Sequence, residues 1–285
     1  MGIVDKVVAN SVPVIPRPLV RKIAGRYMAG EELDEAIATI RNLNREGCAA
    51  TVDVLGESTK SERDAAEKLD QYKQVLDALD EHLCRRNLKE VIAYAGERGR
   101  FVRVDMEDSP YTATTLELVL EMHERHGNTG AVIQAYMRRS LKDVMRLAEA
   151  GVSVRLCKGI YDEPREIAYK DFETVRQNYV LLLEELFKEG VYVGVATHDE
   201  YLVWHALRLI HQMGLSRNRY EFQMLLGVDE ELRRILVNVG HKVRVYVPFG
   251  KGWYEYSTRR LKENSKIARY VAKDVIGSIA GAVKR

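Results

Sequence analysis

Short apolar runs and amphipathic stretches alternate along this chain. "CAATVDVLG", "RFVRVDMED", "GAVIQAYM", "VSVRLCKGIY", "VYVGVATHD", "YEFQMLLG" and "HKVRVYVPFG" read as seven buried strands. Between the later ones lie helical patterns: "TTLELVLEMHERHG", "SLKDVMRLAEAG" with Ser140 as the N-cap, residues 172–188, "EYLVWHALRLIHQMG" and "DEELRRILVNVG". Ahead of the first strand, Leu33, Ala36, Ile37, Ile40 and Leu43 fall at helical spacing, and Gly47 closes that helix. Strands that alternate with helices of about ten to fifteen residues predict an α/β fold, a parallel sheet with crossover helices. No strand is followed by GxGxxG or a Walker A loop, and no reversal of topology is apparent. A closed (βα) barrel is therefore favoured over a doubly wound sheet. No linker or shift in composition divides the chain. It reads as an N-terminal arm, residues 1–30, and a single barrel domain, residues 31–285.

A hydrophobic content of 46% over 285 residues is enough for a large core. Forty-four Lys and Arg against 42 Asp and Glu leave a net charge of +2, which gives no general reason to expect a nucleic-acid partner. Cys48, Cys84 and Cys157 are far apart and form no CxxC pair, so neither a disulfide framework nor a zinc site is expected, and a reducing cytoplasm fits. Cys48 and Cys157 lie in apolar runs and are expected to be buried and inert. The N-terminal arm is broken by Pro13, Pro16 and Pro18 and reads as neither a membrane span nor a signal peptide. It suits a short apolar segment that packs on the barrel or a neighbour, or that touches a membrane surface.

The chemistry of such barrels sits at the C-terminal ends of the strands. There the chain places Asp105, Gln134, Arg155, Lys158, Thr197, His198, Gln223 and Tyr246. Any one of these alone is more often a satisfied core residue than a ligand. Six strands that all end this way point to a site, because polar groups in apolar runs are costly without partners. There is no HExxH and no GxSxG. The "HERH" of His123 to His126 lies late in a charged helix and is expected to face solvent. Cations and amides suit an anionic organic ligand: a carboxylate, a phosphate or a flavin. Near the C-terminus, "YSTRRLKEN" puts Tyr256, Arg259, Arg260 and Glu263 on one helical face. Taken alone, that pattern is most often a solvated face with weak ion pairs.

"VRVDMEDSPYT", "VIQAYMRR", "VRLCKGIY", "VGVATHD", "YEFQMLLG", "VRVYVPFG" and "YSTRRLKEN" occur here in that order. In this the chain resembles the proline dehydrogenase family, in its short, monofunctional bacterial form, from about residue 29 to beyond residue 264. The resemblance implies a (βα)8 TIM-like barrel that holds FAD, with the last helix over the barrel mouth. It implies oxidation of L-proline to Δ1-pyrroline-5-carboxylate by hydride transfer from C5 to flavin N5. By matching motifs, Arg259 and Arg260 would clamp the proline carboxylate, a planar fork being suited to it, and Glu263 would hold that cluster beside the flavin. Tyr246 and Tyr256 would pack on the pyrrolidine ring, and Leu225 would be an apolar wall. Arg155 would sit near flavin N5. Gln134, Lys158, Gly159, Thr197, His198 and Gln223 would line the flavin site, and Asp105 would belong to the reacting centre. A quinone acceptor, and with it a peripheral position on the inner face of the cell membrane, is implied as well.

The chain departs from the family after its first strand. Two helical patterns follow one another across the His82–Leu83 junction, where the family has a strand whose lysine pairs with the aspartate at Asp105. The barrel is thus expected to lack one of eight strands, to leave Asp105 without its cation, and to turn over weakly while keeping its flavin contacts. Two rival readings stand beside this one: an aldolase or lyase with Lys158 as Schiff-base lysine, and a barrel-derived binding protein without catalysis.

Overall fold

The structure, a computed structural model, describes residues 21, 25, 27–55, 85, 88–250, 253, 254 and 257. Its strands are β1 (Ala49–Val54), β2 (Val102–Arg103), β3 (Thr129–Gln134), β4 (Ser153–Cys157), β5 (Val193–Ala196), β6 (Tyr220–Leu225) and β7 (Val243–Phe249). The helices that bear on the site are α1 (Leu33–Arg45), α2 (Ser109–His126), α3 (Ser140–Glu149), α4 (Phe172–Lys188), α5 (Glu200–Gln212) and α6 (Glu230–Asn238). The strand order is β1-β7-β6-β5-β4-β3-β2, and the β1–β7, β2–β3, β3–β4, β4–β5 and β5–β6 ladders are parallel.

From β2 to β7 each strand lies beside its neighbour in sequence. A doubly wound sheet reverses direction part-way; this one does not, which makes the fold a TIM-like α/β architecture. Among the described residues β1 and β2 are the two ends of the order. The His82–Leu83 junction, where the chain reads as one strand short, lies outside them. No helix among the described residues is long and apolar enough to cross a membrane.

The described chain forms two compact units. One takes its residues from Thr59–Gln223 and Ile235–Val243. Its core is built from strand residues such as Val154, Leu156, Val193 and Val195 against Leu182, Leu183 and Leu186 of α4, all fully buried. Helix α4 begins where Asp171 accepts a bond from the Thr174 amide at 2.8 Å, an N-cap that satisfies an otherwise orphaned donor. Helix α2 starts at Ser109, ahead of the apolar pattern, because the buried Glu163 carboxylate accepts from the Ser109 amide at 2.6 Å and its hydroxyl at 2.7 Å.

Three local expectations are corrected in this unit. Ser140 is the first residue of α3 and not its cap; its hydroxyl donates to the Gln134 and Met137 carbonyls, both at 2.7 Å. The strand around Val102 is only two residues long, and beyond it a single bond from the Val104 amide to the Gly130 carbonyl, at 3.0 Å, continues the pairing. The two histidines of "HERH" are half-buried and not fully solvent-facing. His123 Nδ1 lies 3.0 Å from the Thr129 carbonyl, and His126 Nε2 is buried with no partner among the described residues.

The other unit takes its residues from Met1–Ser58, Met224–Arg234 and Arg244–Arg285. Here β1 pairs with β7 in a register that sets Thr51 beside Tyr246. The Glu35 carboxylate accepts from the Glu31 and Glu32 amides at 2.8 and 3.0 Å, which opens α1 and holds that carboxyl below its ordinary range. Met28 is buried against Leu55, Tyr246 and Trp253.

Candidate active site

In the first of these units the strand-end residues fall into two groups. The first runs across three strands. Arg155, on β4, is in register with Gly194 on β5, which is in register with Glu221 on β6. Side chains two residues apart share a strand face, so Gln223 stands on the same face as Glu221. Arg155 Nε donates to Gln223 Oε1 at 2.6 Å, and its Nη1 donates to the Asp105 carboxylate. Arg155 thus sets a cation beside Asp105; the segment in which the family's lysine strand would lie is outside the described residues. Gly194 makes the crossing possible, because a Cβ there would overlap the Gln223 amide.

The second group gathers around Asp199, just beyond β5. Lys158 Nζ donates to Asp199 at 3.1 Å, and Arg176 of α4 donates at 2.8 and 2.7 Å. Burial pushes the Asp199 carboxyl up, but the Arg176 and Lys158 donors outweigh it and hold the group below the ordinary carboxylate range. Both cations also lie over the Phe172 ring, Lys158 at 4.9 Å and Arg176 at 4.3 Å. Thr197 is buried and its hydroxyl accepts from the Asp199 amide at 3.0 Å; His198, partly exposed, sits between them in the chain. Lys158 is thus engaged in an ion pair and does not stand free as a nucleophile.

Gln134 is buried at the end of β3, and its amide donates to the Glu107 carbonyl at 2.9 Å. Gly159 adopts φ +103°, and a Cβ there would overlap the Tyr136 ring. The Tyr136 hydroxyl is buried without a partner among the described residues, and burial pushes its pKa up. Cys157 is half-buried and not buried as expected; its thiol is raised to about 11, chiefly by removal of the side chain from water, which fits an inert thiol. Cys48 is buried as expected.

In the other unit, Tyr246 donates its hydroxyl to Asp53, and Leu225 is partly buried at the end of β6. Tyr256, Arg259, Arg260 and Glu263 lie outside the described residues. The residues missed in the sequence are Asp199, Arg176, Glu221 and Asp53. Asp199 directly follows the strand-end "TH", and Glu221 shares the period-2 face of Gln223. Those positions were the available signals.

Guanidinium, ammonium and amide donors dominate this set, and among the described residues no group of three or more His, Cys, Asp or Glu is placed to hold a metal. A close glycine and an orphaned buried hydroxyl beside such donors fit a planar organic group that carries or takes on negative charge.

A sequence model described as proline dehydrogenase matches residues 36–273. The proline dehydrogenase of Deinococcus radiodurans is 34% identical over 292 residues, covering 93% of this chain and 94% of its own. Proline dehydrogenase 1 of Bacillus subtilis is 30% identical over 273 residues, covering 89% and 90%. Among solved structures, proline utilization A from Bdellovibrio bacteriovorus superposes with a TM-score of 0.75 at 24% identity over 86% of this chain. The Bradyrhizobium japonicum protein of that name gives 0.65 at 18% over 86%. This chain spans 33% and 32% of the length of those two structures, which speak for the fold.

Proposed function

The chain belongs to the proline dehydrogenase family, and from that premise we propose that it oxidises L-proline to Δ1-pyrroline-5-carboxylate with FAD, in proline catabolism. The observation that carries this reading is Arg155, held by Asp105 and Gln223 at the strand ends. A guanidinium fixed at both sides is a preorganised charge, and such a charge loses little on meeting its ligand.

The reaction takes a hydride from C5 and a proton from the ring nitrogen, and leaves a C5–N double bond. FAD, when bound, supplies the two-electron acceptor. The protein's work is to bind, orient and exclude water. Arg155, Gln134, Lys158, Gly159, Thr197, His198 and Gln223 would hold the flavin. Arg259 and Arg260 would take the substrate carboxylate, with Glu263 fixing them. Tyr246, Tyr256 and Leu225 would wall the ring. Asp105 would act through Arg155, whose charge it shares. The catalytic domain would be residues 31–285, after the arm of residues 1–30. A quinone would reoxidise the flavin, from a peripheral position on the inner face of the membrane.

The test is a visible absorption spectrum of the purified protein, taken before and after anaerobic L-proline. A flavin band that bleaches with proline supports the proposal. A flavin band that proline leaves unchanged, or a colourless protein that takes up no added FAD, rejects it. A colourless protein that cleaves an aldol substrate and is trapped by borohydride at Lys158 would instead favour the lyase.

A further inference from the structure

Glu221 is 2% exposed. Its Oε2 accepts from the Tyr192 hydroxyl at 2.9 Å and lies 3.2 Å from the Lys242 ammonium. Its Oε1 accepts from Gln223 Nε2 at 2.7 Å. An ionised carboxylate can only accept, and a guanidinium can only donate. A primary amide placed between the two has one satisfied orientation, with NH2 toward the acid and oxygen toward the arginine. That is the orientation of Gln223, whose oxygen takes Arg155 Nε at 2.6 Å.

We propose that Glu221 is a positioning residue: its charge sets the sense of the Gln223 amide and, through it, the direction of the Arg155 guanidinium. Gly194 is the second part of the device, since only a residue without a side chain leaves the corridor across β5 open. The proposal rests on the reading of Arg155 as a flavin contact. Glu221 itself touches neither substrate nor flavin in it.

The sense of the relay makes a sharp prediction. In Glu221→Gln, Lys242 and Tyr192 claim the new carbonyl, so the new NH2 must donate to the Gln223 oxygen. Gln223 then turns its own NH2 toward Arg155, donor against donor. The swap Glu221→Gln with Gln223→Glu restores every pairing: Lys242 and Tyr192 donate to Gln, Gln donates to Glu, and Glu accepts from Arg155. Net charge and side-chain volume are unchanged.

The experiment uses the purified full chain with FAD. It reads the 15N signal of the Arg155 Nε–H group, assigned with Arg155→Lys, together with kcat and KM for L-proline. Expected are an Nε–H exchange rate and a kcat that each worsen roughly tenfold or more in the single variant, with KM within about twofold, and recovery of both in the swap. An unchanged Arg155 signal in Glu221→Gln, or a swap no better than the single variant, overturns the proposal. Should the single variant fail to fold, a folded swap with a protected Arg155 signal supports it. A swap that also fails overturns it, since every donor there has its acceptor. The Nε–H signal does not depend on turnover, so a wild-type chain inert toward proline would reject the proposed function and leave the relay separately judged.

Discussion

Arg176 holds both oxygens of Asp199, Nε on Oδ2 at 2.8 Å and Nη2 on Oδ1 at 2.7 Å. The arginine comes from α4 and the aspartate from the turn after β5, so the pair fastens a helix to a strand end. Lys158 joins it from the turn after β4. Replacing Asp199 with Asn keeps the shape and removes the charge. We expect a loss of about 2 kcal/mol of unfolding free energy, the scale for a charged hydrogen-bonded group losing its partner, read from the urea midpoint. The folded Asp199 carboxyl is held below its ordinary value of 3.8, so its contribution is present above that pH and is lost as pH falls through the depressed value. The acid limb of the stability curve should flatten in Asp199→Asn. An unaltered limb would contradict this account.

Gly159→Ala adds a methyl where the backbone is left-handed and the Tyr136 ring leaves no room. Strain at such a position costs of order 1–3 kcal/mol before any overlap is counted. The variant should unfold earlier in urea and bind FAD at least about tenfold more weakly, measured by flavin fluorescence titration. Full flavin affinity in a stable variant would remove Gly159 from the site.

His241 Nδ1 lies 2.9 Å from the Tyr220 hydroxyl. Burial, helped by the nearby Arg217, lowers its pKa from 6.5. Its contribution is present above 6.5, and is lost as pH falls from there through the lowered folded value, because the unfolded chain takes up a proton first. A His241→Asn variant should therefore lose stability more gently between pH 7 and 5. Chemical denaturation at several pH values checks it.

Arg259→Lys and Arg260→Lys keep a charge and lose the planar fork. If the pair takes the substrate carboxylate, each change should raise KM for L-proline about tenfold or more, equivalent to roughly 1.4 kcal/mol, and leave flavin content near that of wild type. Unchanged KM in both variants would move the carboxylate site elsewhere.

The strands and helices were legible because their signals are local. β3 reads as a continuous apolar run and is buried along its whole length, and α4 runs over the residues its pattern marks. The errors are equally local in origin. A serine ahead of an apolar pattern is a good cap signal, but at Ser140 the preceding turn offers two carbonyls and its hydroxyl donates to them. The histidines of α2 look solvated beside Glu124 and Arg125, yet the strand that follows Gly127 folds back over His123.

The partners of the site residues were not legible. Asp105 was read as losing the lysine of a missing strand, while the cation it meets in the structure, Arg155, stands fifty positions on. Asp199 drew no notice, since nothing nearby in the chain announces Lys158 and Arg176.

Periodicity, turn residues and the order of the motifs are short-range properties of the chain, and they were enough to specify a parallel α/β sheet and to mark which side chains end its strands. Which of those side chains meet was decided only by the tertiary structure. Strand register sets Arg155, Gly194 and Glu221 in one row, and a contact across a row depends on the size of the residue in the middle, which no local pattern encodes.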